Sequence, residues 1–351
     1  MVLGGCESLK KDSAAPESAY NLKTSDIVVR DPFVFADVES KKYYIHGNKK
    51  ITKPNPTKSE VLNKDANAGI YCYESKDLKN WRYVGESFKS PKEFWGKRDF
   101  WAPDMFKLNG KYYIIATFSS DEKIPSSNGA LDKLRFRGCA ALVSDKPEGP
   151  YKPVSMTEPL TPKKWMCLDG TLWEEDGKLW LIYCHEWVQT IDGEIVAQEV
   201  SRDLKRTIGK PIVLFKASEA PWQQPMSNGA RVTDAGVINR AKDGTLFMTW
   251  SSHTKDKSGK MKYAIGLAVS ENGKLFGKWK HLKKPINDDD GGHAMLFKTF
   301  DGKDMISYHA PNTFPERTVI RPFEFSGGKV VLGDDICEDV SIKRTEANAK
   351  K

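Results

Sequence analysis

Five ionisable side chains, Asp31, Asp104, Asp169, Asp234 and His293, each open an apolar run, at intervals of roughly 60 to 70 residues. Brought together by a fold, such a set has two chemical uses. It can hold a cation such as calcium, or its members can take different protonation states and do acid–base work. Close like charges push one pKa upward, so one carboxyl stays protonated as an acid while another stays ionised as a base. Neighbouring residues fit this chemistry. Pro32 after Asp31 fixes the backbone and supplies no N–H, and Gly170 after Asp169 is read as leaving space beside that carboxylate. A third acid is needed from the far side, where Glu219 in KASEAPW and Asp234 in RVTDAGV both stand.

The elements that must position these groups are visible as a repeated phrase. The copies are RDPFVFADVESKKYYIHG from Arg30, APDMFKLNGKYYIIAT from Ala102, LDGTLWEEDGKLWLIYC from Leu168, TDAGVINRAKDGTLFMTWSS from Thr233 and GHAMLFKTFDGKDMISYH from Gly292. Each reads as strand, short turn, then a second strand rich in Tyr, Ile, Leu and Trp. A hairpin recurring at one blade's length is the mark of a β-propeller, and the copies here predict an all-β, five-bladed ring in one domain. The five lead residues are then expected at equivalent positions of the innermost strands, around one mouth of a central funnel. Residues 1–20 read as a tether, 21–340 as the propeller, with blade one opening near Asp26, and 341–351 as a polar tail. The polar stretch SSDEKIPSSNGALDKLRFRG inside blade two is expected to be a loop.

Composition narrows the class. The chain has 351 residues, 39% hydrophobic and 11% aromatic with ten Trp, which suits a packed β protein and argues against disorder. Its net charge of +8 comes from scattered Lys, with no Arg-rich arm or recognition helix, so nucleic acid is not an expected partner. The six Cys show no CxxC pair and no metal spacing, so neither a disulfide framework nor a Cys/His metal site is expected. Cys6, after Leu3-Gly4-Gly5 and before a polar Ser/Lys/Ala/Pro stretch, resembles a bacterial lipobox, although the basic and apolar regions of a signal do not precede it. That gives an expected extracytoplasmic location, secreted or anchored in the periplasm or outer membrane, with membrane contact only through a lipid at Cys6. Trp101, Trp165, Trp187 and Trp222 are candidate faces for stacking a sugar ring. The segment HEWVQTIDGEI offers His185, Glu186, Gln189 and Glu194 as a polar wall beside them. Acid and base carboxylates flanking a sugar are what inverting glycoside hydrolysis requires.

From about Asp26 to Gly333 the chain resembles glycoside hydrolase family 43, five-bladed propeller glycosidases. RDPFVF, FWAPDMF, LDGTLWEEDGKLWLIYCHEW, KASEAPW, TDAGVINR and GGHAMLFKTFDGK carry the resemblance through their order and spacing. The resemblance implies that Asp31 is the general base and that Asp169 tunes and orients the acid. The family's acid is a Glu, usually opening the fourth blade before Gly-Pro or Ala-Pro. Glu219 is preferred here for its longer arm and its Ala-Pro context, with Asp234 as the alternative acid or a contact to a sugar hydroxyl. His293 matches a channel-facing His that in many members lies near a water or calcium ion, so a structural calcium near His293 is considered; no cofactor is required for turnover. The implied activity is that of an α-L-arabinofuranosidase or β-xylosidase working as a monomer on oligo- or polysaccharide. The alternatives are an exo-β-galactosidase and a non-catalytic, membrane-tethered glycan-binding propeller.

Overall fold

The computed structural model describes residues 15–61, 69–124 and 134–336. It is a ring of five antiparallel sheets, each built from consecutive strands with the first strand of its repeat innermost. The innermost strands are Val34–Asp37, Arg98–Leu108, Cys167–Glu175, Asp234–Arg240 and Gly292–Lys298. Each packs on the next, and the fifth packs on the first. Blade one carries an additional outermost strand, Leu22–Lys23, paired with Trp81 and Asn80.

The near-continuous apolar runs of the second strands follow from burial on both faces. In Lys111–Lys123, Tyr112, Ile114, Ala116 and Phe118 join the core shared with blade one, while Tyr113 and Ile115 join the core shared with blade three. In Lys178–His185, Leu181 and Tyr183 face blade two, whereas Ile182 and Cys184 face blade four. A strand sends alternate side chains to opposite faces, so a strand between two blades needs apolar residues at every position. Each large side chain fully buried there contributes roughly 1.5–3 kcal/mol relative to exposure.

Side chains and short hydrogen bonds close the ring. Met295, Phe297, Met305 and Ile320 of blade five enter the core of blade one. The Thr318 N–H and hydroxyl both donate to the Ile27 carbonyl, at 3.2 and 3.0 Å. Phe300 stacks on Tyr43 at 4.4 Å, and the Ser307 hydroxyl donates to the Pro32 carbonyl at 2.8 Å.

Two boundaries differ from expectation. Blade one begins before Asp26: Leu22 is fully buried, and Tyr20 donates to buried Glu74 at 2.7 Å, where Lys42 and Arg82 also converge. The insertion in blade two is largely strand at its flanks. Lys111–Lys123 and Arg135–Ser144 pair across it, with Ser119 opposite Arg137. The expected lipid site at Cys6 and the polar tail lie outside the described residues. Cys72, Cys139, Cys167 and Cys184 are buried free thiols, and among the described residues no helix is long and apolar enough to cross a membrane.

Candidate active site

One backbone irregularity, repeated in the innermost strands, sets the site. Pairing with the second strand shifts between Trp101 and Asp104, Leu168 and Thr171, Asp234 and Val237, and Gly292 and Met295. At each place two residues face one, as in a β-bulge. The first of the two has a positive φ: Ala102 at 44°, Asp169 at 55°, Ala235 at 52° and His293 at 57°, and Asp31 matches them at 60° before its ladder begins. A non-glycine residue in this region carries about 1–3 kcal/mol of strain, so the surroundings must hold it. They do so through the preceding blade. The N–H of Asp31 donates to His309 Nδ1 (3.4 Å), that of Asp169 to Thr117 Oγ1 (2.9 Å), that of Ala235 to Asp169 Oδ2 (3.1 Å) and that of His293 to Ser251 Oγ (2.8 Å).

This register corrects the expected equivalence of the five lead residues. The structural repeat runs Asp31, Ala102, Asp169, Ala235, His293; Asp234 stands one residue before its bulge and Asp104 two residues after the first bulge position. Asp104 therefore drops below the mouth. It is buried and bonded to Thr171, its counterpart in blade three, and burial, helped by the nearby Asp31, pushes its pKa well up, so it is not a rim contact for sugar. Gly170, the second bulge residue, faces the core. A Cβ there would lie 2.9 Å from Ile115 and 3.1 Å from Cys139, so its missing side chain serves blade packing and does not make room beside Asp169.

Asp31, Asp169, Asp234 and His293 meet at one mouth. Asp31 Oδ1 lies 3.1 Å from His309 Nδ1, 3.3 Å from His293 Nδ1 and 3.9 Å from Arg30 Nε. Burial alone would push Asp31 up, but His293, His309 and Arg30 outweigh it and hold the carboxyl well below the usual range. Burial also keeps His293 neutral, its pKa pushed down to about 4, so near neutral pH Arg30 and not His293 is a cation beside Asp31. Asp169 Oδ2 is 3.7 Å from His293 Nδ1 and bonded to the Ala235 N–H. Burial, then Asp234 and Asp31, push Asp169 well up. Asp234 Oδ2 accepts the Tyr263 hydroxyl at 2.8 Å. Burial raises Asp234 to about 7, with Tyr263 and Arg30 opposing and Asp31 and Glu186 reinforcing. The mouth thus holds an ionised carboxylate, Asp31, and a neighbouring pair, Asp169 and Asp234, that retains protons. At the other end of the channel a cavity of about 550 Å³ is lined by Phe33, Met105, Phe106, Leu172, Met295 and Phe297 among others. His293 spends its Nδ1 on the two carboxylates, and among the described residues no group of three or more His, Cys, Asp and Glu is arranged to hold a metal.

The remaining sequence candidates separate. Glu219 is exposed on a short turn, Ala217–Glu219, after the outermost strand of blade three, and its carboxylate accepts the Lys216 N–H at 2.8 Å. It is spent as a cap and stands apart from the cluster. Trp222 is core, packed on Trp250 and so tight over Gly266 that a Cβ there would lie 2.1 Å away. Trp187 is partly buried against the small cluster of Ile124, Phe136, Met166 and Val188. Trp165 stacks on His185 at 4.0 Å, and His185 is fixed by Glu194 at 3.0 Å and Gln189 at 2.9 Å. Glu186 is buried, with both oxygens 2.8 Å from Arg137 Nη1. Trp101 is 36% exposed, and the Arg137 guanidinium lies 4.4 Å from its ring.

A profile of glycosyl hydrolases family 43 matches residues 30–330. The chain belongs to family 43. It is therefore a glycoside hydrolase. Among family structures, an endo-arabinase from Bacteroides thetaiotaomicron is 43% identical, with a TM-score of 0.76 over 88% of this chain and 99% of that one. A second structure from that organism, an endo-1,4-beta-xylanase, shares the fold at 21% identity and a TM-score of 0.65, over 87% and 94% of the two chains. The extracellular exo-alpha-(1->5)-L-arabinofuranosidase ArbA of Cellvibrio japonicus is 23% identical over 69% of this chain and 73% of its own.

Within this family 43 chain, sequence reasoning missed Arg30, Arg137, Tyr263 and His309. Arg30 and His309 lay inside quoted phrases, one residue before the first positive-φ position and near the end of the last second strand. Arg137 was hidden by reading its stretch as loop. Tyr263, on the third strand of blade four, carried no local signal, because only the folding of that blade brings it to Asp234.

Proposed function

We propose that this chain is an inverting glycosidase that cleaves arabinose-containing plant glycans outside the cytoplasm, with α-1,5-linked arabinan as its first substrate. Asp31 is the general base, Asp234 the general acid, and Asp169 the group that orients the acid. The observation that carries this reading is the split of protonation within one mouth, with Asp31 held ionised and Asp234 holding its proton to about pH 7. Asp31 takes a proton from water as the water oxygen attacks the anomeric carbon. The glycosidic C–O bond breaks, and its oxygen receives the Asp234 proton. Asp169 bonds the main-chain N–H of Ala235, the residue next to the donor, and so fixes the strand that presents it. The endo-arabinase and the exo-arabinofuranosidase both support an arabinan substrate, and the extracellular relative supports an external location.

The test has two parts. Linear arabinan and nitrophenyl α-L-arabinofuranoside are offered beside nitrophenyl β-xyloside and β-galactoside, and the first sugar released is followed by proton NMR. Preferential arabinose release with inverted anomeric configuration is expected; retention refutes the inverting assignment, and preferred xylose or galactose release refutes the substrate. Asp234→Asn is then compared on arabino-oligosaccharide and on a dinitrophenyl arabinofuranoside, whose leaving group needs little protonation. A loss confined largely to the oligosaccharide identifies the donor; equal loss on both removes Asp234 from that role.

A further inference from the structure

The three ion-pair contacts of the Asp31 carboxylate all fall on one oxygen. His309 Nδ1, His293 Nδ1 and Arg30 Nε stand 3.1, 3.3 and 3.9 Å from Oδ1. His309 makes a second contact with the same residue, because the Asp31 N–H donates to its Nδ1 at 3.4 Å. One nitrogen cannot serve both contacts at once. With its proton on Nε2 the ring accepts the N–H, and with it on Nδ1 the ring donates to Oδ1. Either way it grips a residue whose positive φ has to be held by its surroundings. His309 is itself firmly placed. It is fully buried near the end of the second strand of blade five, Asp304–Ala310, with Gly292 opposite on one side and Thr318 on the other. Its ring stacks on Tyr263 at 5.7 Å, and its Nε2 lies 3.5 Å from Asn312 Oδ1. Asn312 in turn takes Arg30 on Oδ1 at 2.7 Å and on its carbonyl at 3.2 Å. Ring, amide and guanidinium form one frame around Asp31.

We propose that His309 is a positioning residue for the general base: its Nδ1 fixes Asp31 by Oδ1 and by the main-chain N–H, so that Oδ2 is the oxygen presented to the attacking water. This rests on the reading of Asp31 as the base. A carboxylate free to turn meets water in many orientations, whereas one held at Oδ1 meets it in few. Misplacing a reacting group by about 1 Å can cost about 10²-fold in rate, which sets the scale of the effect. Three other roles for the same ring give different results. A space-filling ring would act through stability alone. A ring acting through Tyr263 would reach the acid, since the Tyr263 hydroxyl donates to Asp234 at 2.8 Å. A ring touching the sugar would act on binding.

The experiment compares His309→Asn with His309→Gln. The shorter amide reaches the place of Nδ1 and can offer either an N–H or a carbonyl there, whereas the longer one reaches the place of Nε2 and leaves Asp31 unheld. kcat and KM are measured on arabino-oligosaccharide and on dinitrophenyl arabinofuranoside, with circular dichroism to confirm folding. His309→Gln is expected to lower kcat by about 10–100-fold on both substrates alike, since water must be activated whatever the leaving group, with KM within about threefold. His309→Asn is expected to recover most of that loss, although it fills the site less well. If His309→Gln does not fold, His309→Phe, which keeps the ring over Tyr263 and removes both nitrogens, takes its place with the same expectation. A Gln or Phe variant as active as Asn overturns the proposal in favour of space filling. Loss on oligosaccharide with the dinitrophenyl substrate spared overturns it in favour of Tyr263 and Asp234, and loss confined to KM in favour of a sugar contact. In an Asp31→Asn background His309→Gln should cost nothing further, because the group it positions is already gone; a multiplied loss overturns the proposal. Ordinary turnover by Asp31→Asn alone would instead strike the underlying assignment of the base.

Discussion

Tyr263→Phe tests the acid through one hydrogen bond. The substitution removes the hydroxyl that donates to Asp234 Oδ2 at 2.8 Å and keeps the ring that stacks on His309 at 5.7 Å. A donor to a carboxylate favours its ionised form, so its loss makes Asp234 hold the proton longer. Hydrogen bonds to charged groups contribute about 1.5–3 kcal/mol, and one pKa unit corresponds to about 1.36 kcal/mol, so Asp234 should titrate about 1–2 units higher. Its starting point is about 7. The enzyme needs the acid protonated, so activity persists below that pKa and is lost above it. In Tyr263→Phe the basic limb of kcat/KM therefore moves from near 7 to roughly 8–9. The plateau falls severalfold at the same time, because a weaker acid transfers its proton less readily. The assay is oligosaccharide cleavage between pH 4 and 10, with circular dichroism to confirm folding. A basic limb that stays in place or moves to lower pH refutes the assignment of Asp234 as the titrating acid.

Other outcomes follow from the same geometry. Asp31→Asn removes the base from a near-isosteric frame, and turnover of every substrate should fall about 10²–10⁴-fold with folding intact, as thermal unfolding would show. Glu219→Gln, altering an exposed cap, should leave kcat/KM within about a factor of two, consistent with the ±0.5 kcal/mol usual for surface changes; a larger loss would return Glu219 to the site. Asp104 has a folded-state pKa raised above its unfolded value, so the folded state binds more protons and wild-type stability falls as pH rises from the unfolded pKa through the folded one. Asp104→Asn escapes that loss, and its Tm should exceed wild type at pH 8 and converge with it near pH 4. Gly170→Ala should lower the Tm through about 1–3 kcal/mol of overpacking against Ile115 and Cys139.

The ring was legible in the chain because its parts are local. A second strand wedged between two blades must be apolar at every position, and YYIIAT and LWLIYC say so without any knowledge of their neighbours. The positive-φ position was half legible: Asp-Pro, Ala-Pro, Asp-Gly, Ala-Gly and His-Ala mark the five such positions, but counting from charged residues placed two of the five out of register. The same error made Asp104 a rim residue and obscured why Asp234 differs from Asp169.

What the sequence by itself determined is therefore the all-β repeat, its five copies, and the residues Asp31, Asp169 and Asp234 as members of one cluster. Their spacing is a one-dimensional record of blade length, and side-chain alternation records which faces are buried. The tertiary structure alone decided which carboxylate holds a proton, that Glu219 is a cap, and that Arg137 and Tyr263 belong to the site. Protonation depends on desolvation and on charges within a few ångströms, and those neighbours come from other strands, some in the same blade and some in other blades. Asp234 meets Tyr263 across 29 residues of chain, and Asp31 meets His309 across 278. No local pattern can encode contacts of that separation; the folding of blade four creates the first, and closure of the ring creates the second.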